Sequence, residues 1–86
     1  MKVLYFAWLR TKTGCAQEDL SLPAHVGDVA ALVEWLKQRS PGHADALADL
    51  SVVRAAVNYE FVAFDHVLGA DDEVALFPPR HRRLTP

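Results

Sequence analysis

The chain has 86 residues, with nine basic and eleven acidic side chains, a formal net charge of −2 and 51% hydrophobic residues. A chain of that length builds one domain with a core near the lower limit for independent folding, which argues against a second domain or a deep internal active site. The single cysteine, Cys15, excludes an internal disulfide framework and a multi-cysteine zinc site, and the expected setting is reducing and cytoplasmic.

Three of the nine basic residues, Arg80, Arg82 and Arg83, fall in the last seven positions, so residues 1–79 carry six basic against eleven acidic groups, a net of −5. A body of that charge repels phosphate backbones, and no nucleic-acid partner is expected for it; the short basic tail alone would bind such a backbone weakly and with steep salt dependence. No membrane partner is expected either. The longest apolar stretch, Val3 to Leu9, is too short to span a bilayer and lacks the flanks of a signal peptide.

In chain order, Val3-Leu4-Tyr5-Phe6-Ala7-Trp8-Leu9 reads as a strand apolar on both faces, followed by a loop through Gly14. Asp19-Leu20-Ser21-Leu22-Pro23 alternates polar and apolar and reads as a second strand, making a hairpin with the first. Asp28 is a suitable N-cap, and Val29, Leu32, Val33 and Leu36 then share one helix face, predicting a helix to about Arg39 that ends at Ser40-Pro41-Gly42. A short helical turn is expected within Ala44–Leu50. Val52–Asn58, Glu60–Val62 and Glu73–Phe77 read as three further strands, with a turn at Gly69-Ala70-Asp71-Asp72 and a stop at Pro78-Pro79. The expected architecture is α+β, a mixed sheet packed on one main helix.

Catalytic constellations are not evident. His25, His43, His66 and His81 show no partner at ligand spacing and read as loop or surface residues; no metal is expected. Asp71-Asp72-Glu73 reads as a solvated turn, lacking the alternating oxygen ligands of a calcium loop. Cys15 reads as a bystander thiol. No phosphate-cradling glycine loop or nucleophile elbow is present, and no cofactor is expected. Function by binding, or through a chain end, is the reading that remains.

Strand parity points to where binding occurs. With Val3, Tyr5, Ala7 and Leu9 facing the helix, Leu4, Phe6 and Trp8 face away; Val74 and Leu76 inward likewise put Ala75 and Phe77 outward. Phe6, Trp8 and Phe77 should therefore form an exposed aromatic patch, a composition typical of protein interfaces.

Several stretches together resemble a known family. Val3-Leu4-Tyr5-Phe6-Ala7 with Arg10, Ala56-Val57-Asn58-Tyr59-Glu60-Phe61-Val62, Asp65-His66, Leu68, and above all Asp72-Glu73-Val74-Ala75-Leu76-Phe77-Pro78-Pro79 are similar to the small subunit of molybdopterin synthase, over residues 1–79. The resemblance implies a ubiquitin-like β-grasp domain at 1–79 and a non-catalytic sulfur-carrier role in molybdenum cofactor biosynthesis. In that family an adenylating enzyme activates a C-terminal Gly-Gly, which becomes a thiocarboxylate and enters the large synthase subunit to deliver sulfur to a pterin precursor. The implied partners are thus the large subunit and the activating enzyme. Phe6, Trp8, Phe77, Pro78 and Pro79 are the expected partner-binding residues. A related carrier of thiamine synthesis shares the fold, but the Phe77-Pro78-Pro79 ending favours the molybdopterin branch.

The tail at 80–86 departs from the family. Arg80-His81-Arg82-Arg83-Leu84-Thr85-Pro86 follows the prolines, and Arg82 and Arg83 occupy the places of Gly-Gly, so the expected carrier is inactive as written. Back-translation with the permitted codons CGT CAC CGG CGG CTG ACG CCN, less its first base, reads Val-Thr-Gly-Gly-stop. A one-nucleotide frameshift near the proline codons is the corresponding hypothesis. The alternative is a non-catalytic β-grasp interaction module whose tail is genuine.

Overall fold

The computed structural model describes residues 1–79. Its organising helix, α2 (Val29–Lys37), starts where the sequence pattern places it. Asp28 is extended, with φ −144°, and its carboxylate accepts a hydrogen bond from the Ala31 amide at 2.8 Å. The first four amides of a helix have no partner within it. Here the Val29 amide bonds the His66 carbonyl, Ala30 bonds Phe64, Ala31 bonds the cap and Leu32 bonds the Asp28 carbonyl. The segment from Phe64 to Leu68 is thereby laid along the start of α2, and the Leu68 amide adds a bond to Gly27. Val29, Leu32, Val33 and Leu36 are fully buried.

Beneath α2 lies a five-stranded mixed sheet of β1 (Lys2–Tyr5), β2 (Gln17–Asp19), β3 (Arg54–Val57), β4 (Glu60–Val62) and β5 (Glu73–Phe77). The order is β2-β1-β5-β3-β4. β1 and β5 run parallel at the centre, and the other neighbours are antiparallel. Cross-strand pairs Val3–Val74, Tyr5–Leu76, Val57–Val74 and Ala55–Leu76 put one layer of buried side chains against α2. The expected α+β fold is thus present; the helical turn expected within Ala44–Leu50 begins earlier, as α3 (Pro41–Ala46), followed by a 3-10 turn at Leu50–Val52, and one unanticipated short helix, α1 (Trp8–Thr13), is added.

The opening strand is shorter than its apolar run. It ends at Tyr5 because Ala7 takes φ 56° and ψ −134°, a turn conformation that L residues with a Cβ adopt only under strain. The chain then enters α1, which still buries Leu9 but leaves Ala7 exposed. Alternation could not reveal this, since a helix and a strand both explain a continuous apolar run. Gly14, with φ 84°, closes α1 by donating to the Arg10 carbonyl at 3.0 Å.

Other boundaries also move. β2 occupies Gln17–Asp19 instead of Asp19–Pro23, and α2 stops at Lys37. Ser40-Pro41-Gly42 both follows α2 and starts α3: the Ser40 hydroxyl accepts from the His43 amide, and Pro41 is pre-set for the first helical turn. Val52 belongs to the 3-10 turn, so β3 begins at Arg54. A Cβ on Gly42 would overlap the Lys12 carbonyl oxygen, so α3 approaches α1 as closely as backbone allows. Among the described residues no helix is long and apolar enough to cross a membrane.

Two substitutions should shift stability in opposite directions. Ala7→Gly relieves the left-handed strain and should stabilise the fold by about 1 kcal/mol, whereas Gly42→Ala should cost about 1–3 kcal/mol by forcing α3 off α1. Urea unfolding midpoints of the two variants against the parent check both signs.

Candidate functional site

The sheet face turned away from α2 carries a row of side chains fixed by strand register. Leu4 pairs with Ala75, Ala75 with Ala56, and Ala56 with Phe61, so the row crosses β1, β5, β3 and β4. The two alanines at its centre are small and the flanking side chains are large, so the face is concave. Phe6, Tyr59, Phe61 and Phe77 rim an open depression of about 510 Å³ floored by Leu4, Ala56 and Ala75. Phe61 and Phe77 rest against each other with ring centroids 5.6 Å apart. Phe61 is nonetheless 83% exposed, Tyr59 88% and Phe6 48%. Among the described residues no helix covers this face, and such a contiguous set of exposed rings is the composition of an interface core.

Of the residues anticipated from sequence, Phe6 and Phe77 lie on this rim. Pro78 and Pro79 follow β5 directly, and Pro79 lines an adjoining groove with Arg54, Phe61 and Phe77. Trp8 does not join the patch: it stands in α1, half-buried against the core, because the strand that would have turned it outward has already ended. Arg82 and Arg83 lie outside the described residues. Tyr59 and Phe61 are additions. Asn58 and Tyr59 both have positive φ, 50° and 72°, forming the two-residue turn that joins β3 to β4. That turn sets the register that aligns Phe61 with Ala56; an Asn-led two-residue gap between two apolar runs was the available signal. Tyr59 is held in a conformation suited to glycine while its ring stands in solvent, a strain consistent with a role for the ring outside the fold.

A second cluster lies on the helix side. His43, anticipated as a surface residue, is 6% exposed. Its Nε2 lies 2.7 Å from Glu18 Oε2, and its Nδ1 lies 2.8 Å from the Ser40 hydroxyl. Tyr5 donates to the same Glu18 oxygen at 2.7 Å and meets the imidazole edge-on. Arg39 holds the other oxygen, Oε1, at 3.0 Å. Burial alone would raise the Glu18 pKa, but the hydrogen bonds from His43 and Tyr5 and the attraction of His43 and Arg39 outweigh it and leave the carboxyl below its ordinary value. Burial, followed by the bond to Glu18, pushes the Tyr5 phenol well above its ordinary value. Sequence spacing hid this cluster because its members are separated by 13 and 25 positions.

Comparison with known proteins follows the same lines. The ThiS family matches residues 3–80. The molybdopterin synthase sulfur carrier subunit of Escherichia coli (strain K12) is 40% identical over 79 residues, covering 92% of this chain and 94% of that protein. A putative molybdopterin converting factor, subunit 1, from Pyrococcus furiosus superposes with a TM-score of 0.75 at 33% identity, covering 92% of this chain and 95% of the other. SAMP1 from Haloferax volcanii shares the fold, with a TM-score of 0.72 at 23% identity, over 96% and 98% of the two chains.

The Glu18 cluster makes stability depend on pH. A carboxyl with a depressed folded pKa contributes stability that is complete above its ordinary value of 4.5 and is lost as pH falls through the folded value. The unfolding free energy should therefore decline below about pH 4.5, and Glu18→Gln should flatten part of that decline while lowering stability at neutral pH. Denaturant titrations of both proteins between neutral and acid pH measure the difference.

Proposed function

The chain belongs to the ThiS family, among sulfur-carrier small subunits of the molybdopterin synthase kind, and we propose that it docks on the large synthase subunit through the aromatic face of its sheet and works from its C-terminal end. The observation that supports this reading is the continuity of face and chain end. β5 contributes Ala75 and Phe77 to the depression and leads directly into Pro78 and Pro79. Proline offers no ladder amide and restricts φ, so the strand ends there, beside the aromatic face. A carrier needs that arrangement: a broad apolar surface supplies affinity while a short terminal segment reaches a reaction centre in the partner.

The chemistry assigned to that segment is acyl activation. An activating enzyme of the adenylating class transfers the AMP group of ATP to the terminal carboxylate with release of pyrophosphate. A sulfur donor then displaces AMP to give a thiocarboxylate, which delivers its sulfur to a pterin precursor inside the large subunit. Glycines suit the terminus because a segment threading a narrow channel must lack side chains and tolerate unusual φ. Residues 80–86 contain no glycine, and the carrier reading therefore includes the frame displacement described above. DNA sequence across Pro78 and Pro79 tests that part directly: the neighbouring frame should encode Gly-Gly followed by a stop. The glycine-free tail favours a second reading, a β-grasp interaction module without sulfur chemistry. A chain restored to Gly-Gly should gain the mass of one sulfur-for-oxygen exchange with activating enzyme, ATP and a sulfur donor, and a pure interaction module would not.

The docking surface has its own test. Phe61→Ser removes a ring that is 83% exposed, so unfolding free energy should change by no more than about 0.5 kcal/mol. Loss of a central aromatic anchor should weaken binding to the large subunit by about 2 kcal/mol or roughly thirtyfold. Titration calorimetry with the purified large subunit reads the change, and unaltered affinity in Phe61→Ser and Phe77→Ala alike would contradict the assignment.

A further inference from the structure

The cluster on the helix side holds a donor set that the carrier role does not use. Cys15, Glu18 and His43 each bring one ligand atom within 4.8 Å of the other two. They come from three separate elements: the loop after α1, strand β2 and helix α3. We propose that these three side chains form a binding site for a borderline-soft divalent cation, with Zn²⁺ the ion it fits best.

The chemistry of the donors selects the ion. A thiolate, an imidazole nitrogen and a carboxylate oxygen together suit zinc, whereas magnesium and calcium prefer oxygen alone. Zinc–ligand bonds of about 2.0–2.3 Å at tetrahedral angles place neighbouring ligand atoms about 3.5 Å apart. The three donors, all within 4.8 Å of one another, thus need only a small adjustment, in which His43 Nε2 and Glu18 Oε2, now 2.7 Å apart, separate slightly. Water completes the fourth position.

Outer-shell partners are already in place. Metal-bound imidazoles and carboxylates are held by further hydrogen bonds that fix tautomer and orientation. Ser40 Oγ lies 2.8 Å from His43 Nδ1, Arg39 holds Glu18 Oε1, and Tyr5 donates to Glu18 Oε2. The Ser40 hydroxyl can donate or accept. In the metal-free protein Nε2 faces Glu18 Oε2 and Nδ1 faces Ser40 Oγ. With a metal bound, Nδ1–H donates a hydrogen bond to Ser40 Oγ, Nε2 offers its lone pair to the cation, and the Cys15 thiol has released its proton to solvent. No redox change is involved. The ion would tie α3 and the loop after α1 to β2, on the opposite side of the sheet from the aromatic face, so this inference stands apart from the docking surface.

The test uses the full chain, stripped of metal and titrated with Co²⁺ and then Zn²⁺. One equivalent of Co²⁺ should give tetrahedral visible bands together with a thiolate-to-metal charge-transfer band, and Zn²⁺ should displace it. Cys15→Ser, a near-isosteric change at a half-exposed position, should abolish the charge-transfer band and weaken binding by more than the roughly 10–100-fold that loss of an outer-shell partner costs; His43→Gln should weaken it as strongly. In the unaltered chain, stoichiometric Zn²⁺ should slow alkylation of Cys15 by iodoacetamide by at least about tenfold, a readout that does not depend on any variant folding. An octahedral cobalt spectrum without the thiolate band, equal affinity in Cys15→Ser and the parent, or an unprotected Cys15 at one equivalent of Zn²⁺ would each overturn the proposal.

Discussion

Parallel pairing of β1 with β5 is the constraint on which both faces of the protein depend. These two strands, distant in sequence, sit at the centre of the sheet and align Val3 with Val74, Leu4 with Ala75 and Tyr5 with Leu76. Because side chains alternate along a strand, one register decides two surfaces at once. Val3, Tyr5, Val74 and Leu76 go under α2 and form the core, and Leu4 and Ala75 go to the depression on the other side. A slip of one residue would bury the aromatic face and expose the core, so burial beneath α2 is also what holds that face in place.

Much of this was legible from residues alone. β4 and β5 lie where alternation and the Pro78-Pro79 stop place them, and α2 begins after Asp28 because a capping carboxylate and the 0-3-4-7 apolar spacing agree. Phe6 and Phe77 follow from parity. The misreadings have physical causes. Apolar content extends from Val3 to Leu9 without interruption, and only the strained backbone of Ala7 marks the point where strand gives way to α1 and carries Trp8 toward the core. Ser40-Pro41-Gly42 contains both a terminator and an N-terminal cap, and the second role was the less visible one. Tyr59 and Phe61 entered the site through a turn register, a property of two strands together rather than of either one.

The buried cluster was illegible for a different reason. Glu18, His43, Tyr5 and Arg39 meet because α3 packs on α1 and α2 and so brings His43 over β2, and the close approach at Gly42 makes that packing possible. No periodicity links them. A carboxylate largely withdrawn from water carries a desolvation cost unless its partners compensate, and here both oxygens of the partly buried Glu18 are engaged. The sheet thus has two unlike sides, a polar network on the α3 side and an apolar aromatic face on the other.

The central claim is that the outer sheet face, whose strand β5 leads into Pro78 and Pro79, meets the large subunit. Side-chain methyl and aromatic NMR signals of the labelled chain, followed as unlabelled large subunit is added, test it most directly. Perturbations confined to Leu4, Phe6, Ala56, Tyr59, Phe61, Ala75 and Phe77, with α2 signals unmoved, are the expected result. A footprint centred on α2 and α3, with Phe61 and Phe77 unchanged, would contradict the account.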